Sequence, residues 1–252
     1  MLAERGTNGT PRQKPQMGQS SGERPPHPDP LPEGEGAGRP IGIVVGLVAE
    51  AKIAGSLGAR IAIGGGTAAG AASAADTLAP HVSALISFGL AGGLDPALPP
   101  GALLIPATVL AEDGQWETDP ILTARLGGPT PGVLFGDGSI LATAAAKAAL
   151  HARTGAVAVD LESAAVARIA ARHGLPFAVL RAVCDPAGRD LPRAALVALD
   201  GQGRIGALRV AVAILARPGE IPGLIALGRD AARARLALIT RVRAIGQLGS
   251  AP

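Results

Sequence analysis

The sequence predicts an α/β protein: a single domain on a mixed, mostly parallel central sheet flanked by helices. Three observations carry the prediction. From Ile41 onward, short apolar runs alternate with Ala-rich helical stretches, the β-α-β rhythm of a parallel sheet. With 252 residues, 48% of them apolar, the chain is long enough for one such domain with a substantial core, and too short for two full ones. Glycine clusters follow the predicted strands, where an open α/β sheet binds its ligands.

The elements follow in order. Residues 1–40 hold eight Pro, seven Gly and no Val, Ile or Phe, which buries too little apolar surface to offset chain entropy. A disordered extension is expected there, ahead of a domain spanning 41–252. IGIVVGLVAEAK (41–52) reads as a buried strand running into a turn or helix. ARIAIGGGTAAGAASAADTLA (59–79) reads as a short strand, three glycines and an Ala-rich helix. Residues 83–112 repeat strand, Gly-rich turn and strand, with Pro96, Pro99 and Pro100 forcing a loop between. DGQWETD (113–119) reads as a variable polar stretch. Residues 132–154 give a strand and turn, then a helix with Asp137 or Ser139 placed to cap it. Residues 154–188 supply strand, helix and strand again. From Gly223 to Leu248, apolar residues at three- and four-residue spacing oppose Arg229, Arg233 and Arg243. That pattern suits a helix packed on the sheet with a solvated Arg face, or contact with an anionic membrane surface.

Composition removes several function classes. The chain has three Phe, one Trp and no Tyr, with a net charge of +3, so its core must be aliphatic and a base-stacking nucleic-acid platform is excluded. Cys184 is the single cysteine, which rules out an intramolecular disulfide framework and any multi-cysteine metal site, and fits a reducing cytoplasm. No signal-peptide pattern opens the chain and no run of 18 apolar residues crosses it. His27, His81, His151 and His173 lack metal-ligand spacing, and there is no H-E-x-x-H, nucleophile elbow or Walker loop.

The charged groups that remain near apolar strand ends are the chemical candidates. Glu50, Glu162 and Asp185 each fall at or just beyond the C-terminal end of a predicted strand; each also suits a helix N-terminus. Arg181 lies inside FAVLRAVC, where a lone buried charge is costly, and Glu50 or a bound anion is its natural partner. Gly64–Gly66 and Gly89 with Gly92 and Gly93 let backbone approach a ribose or phosphate closely, or simply make tight turns. The GGGTAAG run lacks the spacing of a dinucleotide fingerprint. Cys184 reads as packing.

Residues 86–106 (ISFGLAGGLDPALPPGALLIP), 159–170 (VDLESAAVARIA) and 176–188 (PFAVLRAVCDPAG) resemble the three signature stretches of the purine nucleoside phosphorylase and 5′-methylthioadenosine/S-adenosylhomocysteine nucleosidase superfamily. The likeness runs from about 41 to 215, and GDGSILATAAAKAAL and AVCDPAGRDLP look most like the hopanoid-associated phosphorylases. The resemblance implies cleavage of a purine N-glycosidic bond, with adenine released from a 5′-substituted adenosine such as adenosylhopane. It implies catalytic roles for Asp185, as the acid protonating purine N7, and for Glu50 with Arg181, which activate the nucleophile. It implies that Glu162 holds the ribose hydroxyls, and that Leu161, Gly89, Gly92 and Ser139 line the substrate site, with Asp137 and Gly138 beside the base. Leu90 departs from the pattern, standing where the nucleosidases carry a small hydroxyl residue. No metal or cofactor is expected; water or phosphate is the second substrate. The expected partners are a nucleoside, free or lipid-linked, and further copies of the chain, in the cytoplasm or peripheral to the inner membrane. General purine nucleoside phosphorolysis, methylthioadenosine/S-adenosylhomocysteine hydrolysis and a non-catalytic lipid- or partner-binding module are the alternatives.

Overall fold

The computed structural model describes residues 38–137, 139–196 and 218–249; the expected Pro/Gly-rich extension lies outside them up to residue 37. The strands are β1 Gly42–Val45, β2 Arg60–Ile63, β3 Leu85–Gly93, β4 Leu103–Leu104, β5 Thr108–Ala111, β6 Gly114–Glu117, β7 Leu134–Phe135, β8 Ala158–Val159 and β9 Phe177–Asp185. The helices are α1 Val48–Ala54, α2 Ala68–Leu78, α3 Pro120–Leu126, α4 Ala144–Thr154, α5 Ser163–Arg172, α6 Arg193–Leu196 and α7 Ile221–Ile245. One mixed, mostly parallel sheet organises them. β2, β1, β3 and β9 run parallel, and β4 closes that edge antiparallel to β9. The end of β3 turns to pair antiparallel with β8, which continues through β7 and β5 to β6.

Side-chain alternation sorts the core into two layers. Val44, Leu85, Val179 and Val183 face α2 and α5, whose inner surfaces are Ala71, Ala75, Val166 and Ala170. Ile43, Val45, Ile86, Phe88 and Leu180 face the opposite layer, with Ala54 of α1, Leu122 of α3, and Ala234, Leu238 and Val242 of α7. The small Ala-rich helix faces let α2 and α5 approach the sheet closely. All three Phe are buried.

Three local expectations change. Gly89, Gly92 and Gly93 lie inside β3, not in a turn after it. The strand carries a register shift at Ala91/Gly92, where it switches from β9 towards β8. The polar stretch after residue 112 is half of a hairpin, β5 with β6 across Glu112 and Asp113. The N-cap of α4 is Thr143, whose hydroxyl accepts from Ala146 N, not Asp137 or Ser139. Among the described residues, no helix is long and apolar enough to cross a membrane.

Candidate functional site

The carboxyl ends of β1, β3 and β9, the segment after β8 and the inner side of α7 surround a cavity of about 330 Å³. Seven of the eight sequence-predicted site residues line it: Glu50, Leu161, Glu162, Arg181, Asp185, Gly92 and Ser139. Gly89 does not. Its contribution is space, because a Cβ there would sit 2.5 Å from Glu50 Oε1 and 2.6 Å from an Arg181 nitrogen, at φ +153°. Asp137 pairs with Arg168 at 2.9 Å, and Gly138 lies outside the described residues.

One end of the cavity is built around Arg181. Residue parity in β9 points its side chain into the α5 layer with Val179 and Val183. Its partners differ from the expected Glu50. Nε lies 2.6 Å from Asp160 Oδ2, and Nη2 donates to Ser87 Oγ at 2.7 Å and Glu162 Oε2 at 3.2 Å. Asp160 also receives the amides of Glu162 and Ser163 and the Ser163 hydroxyl, so it starts α5 and leaves Glu162 free of capping. Glu50 is occupied differently: Oε2 accepts from Gly46 N and Leu47 N, and Oε1 from Leu90 N. Glu162 Oε1 is buried without a partner, 2.6 Å from where a Gly46 Cβ would project, so this glycine is required for the approach.

Electrostatics follow from burial and an excess of carboxylates. Burial pushes Glu162 up to about 7, against Arg181 and with help from Asp160 and Glu50. Burial raises Glu50 as well, opposed by Arg181 and three backbone amides. Burial works against the Arg181 charge, but the surrounding carboxylates outweigh it.

The other end holds Asp185, the last residue of β9, with Oδ2 2.5 Å from Lys147 Nζ and Oδ1 buried without a partner. Burial raises its carboxyl above the ordinary range, with Lys147 acting against the rise. Lys147 and Asp160 were not singled out by the sequence. The available signal for Lys147 was its spacing of three from Leu150 on the inner face of α4; for Asp160, its place in DLES, two before Glu162. The lining also includes an apolar wall of Leu90, Ile140, Leu141, Leu191, Leu227 and Ala231. Cys184, half-buried in the cavity lining, has its thiol pushed up to about 12 by burial, which disfavours the thiolate. Among the described residues, no group of three or more His, Cys, Asp and Glu is arranged to hold a metal.

Residues 129–217 match the Phosphorylase superfamily. The futalosine hydrolase of Streptomyces coelicolor is 32% identical over 41% of this chain and 54% of its own length, so the chain spans about half of that relative. Two solved structures from Helicobacter pylori share the fold. The 5′-methylthioadenosine/S-adenosylhomocysteine nucleosidase with butyl-thio-DADMe-Immucillin-A has a TM-score of 0.58 at 17% identity, covering 82% of this chain and 99% of that one. The native futalosine hydrolase has a TM-score of 0.57 at 17% identity, covering 81% and 97%. The matched segment contains the signature stretches around Glu162 and Asp185, so this part of the chain is similar to the Phosphorylase superfamily, and the chain shares the fold of the two Helicobacter pylori structures.

Proposed function

We propose that the chain hydrolyses the N-glycosidic bond of 5′-substituted adenosines and releases adenine. The observation that carries this reading is the pair of buried, unpartnered oxygens, Glu162 Oε1 and Asp185 Oδ1, on two residues that line one cavity. A buried polar atom without a partner is costly, and a ribose hydroxyl at one and a purine nitrogen at the other satisfy both. Departure of the base leaves an oxocarbenium-like sugar beside the carboxylate cluster, while Asp185 gives its proton to N7.

Water is favoured over phosphate as the acceptor. Among the described residues, the buried cations Lys147 and Arg181 are already paired with carboxylates of this chain, so neither is available to neutralise a phosphate at the sugar. Glu50 Oε1 accepts one backbone bond and keeps a lone pair for water. The name of the Streptomyces relative, a hydrolase, agrees.

The wall of Leu90, Ile140, Leu141, Leu191, Leu227 and Ala231 fits an apolar 5′ group, and the nucleosidase neighbour was solved with butyl-thio-DADMe-Immucillin-A. Adenosylhopane is the substrate of this kind that the motif resemblance implies. The exposed arginines of α7 would then keep the enzyme near an anionic membrane. Adenine release across a series of 5′-alkyl adenosines, with and without phosphate, tests the reading. Each added methylene is expected to raise kcat/KM about fourfold, from about 0.8 kcal/mol of burial, until the wall is filled, with no dependence on phosphate. A preference for unsubstituted inosine, or an absolute need for phosphate, contradicts it.

A further inference from the structure

Lys147 occupies the fourth position of α4 and is 1% exposed. A buried ammonium needs an acceptor for each of its three hydrogens. It has them: Pro186 O at 3.0 Å, Arg189 O at 2.8 Å and Asp185 Oδ2 at 2.5 Å. Lys147 therefore has no hydrogen left for a substrate, although it lines the cavity. Asp185 is left asymmetric, with Oδ2 anchored and Oδ1 open.

We propose that Lys147 is a positioning residue for the cleavage: it fixes Asp185 through Oδ2, leaves Oδ1 to carry the proton to the departing purine, and stabilises the carboxylate that the transfer leaves behind. The inference rests on the reading of Asp185 as the acid. As C1′–N9 breaks, its electron pair passes to the base, the Oδ1–H bond breaks and N7–H forms. The base leaves neutral, the sugar is cationic and the new negative charge lies on Asp185, already facing an ammonium. Burial alone would keep the proton on Asp185 but also hold it too tightly; Lys147 makes the transfer easier. The charged groups facing Asp185 are Lys147 of α4 and Arg189 of the following loop, which favour the carboxylate, and Asp230 of α7, which favours the acid. Arg189 is itself engaged by Asp230 at 2.6 Å, so Lys147 is the cation committed to Asp185.

The test compares the full-length chain with Lys147→Met and Lys147→Arg, reading purine release from a 5′-alkyl adenosine across neutral and alkaline pH. Lys147→Met is expected to lower kcat about 10- to 100-fold, with a smaller change in KM. It is also expected to move the alkaline limb of the profile upward by about one pH unit or more. Lys147→Arg, which keeps the charge, should return the limb towards wild type. If Lys147→Met does not fold, Lys147→Gln keeps donors for the carbonyls without the charge and takes its place. An unmoved limb, with the loss shared between kcat and KM, would mean that Lys147 only props the 186–189 loop, and overturns the inference. A carbon-13 NMR titration of the Asp185 carboxyl separates this from failure of the functional reading. Its midpoint must rise without the Lys147 charge, and an unshifted midpoint overturns the inference whatever the activity. Wild-type protein that releases no purine at any pH overturns the reading of the site instead.

Discussion

The two ends of the cavity solve the problem of buried charge differently. At one, a single guanidinium serves Asp160 and Glu162 directly and Glu50 through space, so carboxylates outnumber cations. At the other, one ammonium meets one carboxylate, and its remaining hydrogens go to backbone carbonyls. The first arrangement gathers carboxyl oxygens around one cation, acceptors suited to ribose hydroxyls and to a sugar becoming cationic. The second presents an acid whose conjugate base has a counter-charge in place. Polarity along the cavity is thus set by how many carboxylates each cation must serve.

Removing the cations should expose that difference most strongly. Arg181→Met leaves the clustered carboxylates unmatched and is expected to cost about 3–5 kcal/mol, a fall on the order of 10 °C in Tm by calorimetry. Lys147→Met should cost clearly less, because a single carboxyl loses its cation there and not a cluster of three. Equal losses would break the comparison.

The pH dependence of stability gives the next effect. Glu162 titrates at about 7 in the folded chain against an ordinary 4.5, so the fold favours its neutral form. Its contribution is therefore fully present below about pH 4.5 and is lost as pH rises through about 7, up to about 3 kcal/mol in all. Chemical unfolding of wild type and Glu162→Gln across this range should show the loss only in wild type. Parallel slopes would place the raised carboxyl elsewhere. The smallest effect concerns the helix that carries Lys147: Thr143→Ala should cost about 1 kcal/mol through loss of the α4 cap, and Ser139→Ala nothing measurable.

What the sequence made legible depended on contrast. β1 and β9 stand out because GIVV and FAVLRAVCD are buried almost throughout, and Arg181, Glu162 and Asp185 stand out as charges within or beside such runs. The glycines of β3 were harder to place. Glycine normally weakens a strand, and here it is kept because Glu50 and Arg181 pack against the position where the Gly89 Cβ would be. The β5–β6 hairpin carries four-residue strands with polar residues on β6, too little alternation to read. Lys147 resembles any solvated lysine of an Ala-rich helix until the end of β9 brings Asp185 to it and the following loop brings the Pro186 and Arg189 carbonyls. The contact between Arg181 and Asp160 spans residues whose proximity only the sheet order creates.

The most direct measurement is the single-turnover rate of purine release from a 5′-alkyl adenosine by wild-type protein and Asp185→Asn. The amide can still occupy the site but cannot deliver a proton. Wild type should release adenine without added phosphate, and Asp185→Asn should be slower by at least ~100-fold at nearly unchanged Tm. Release by the variant at the wild-type rate, or none by wild type, would contradict the assignment of this cavity to glycosidic cleavage.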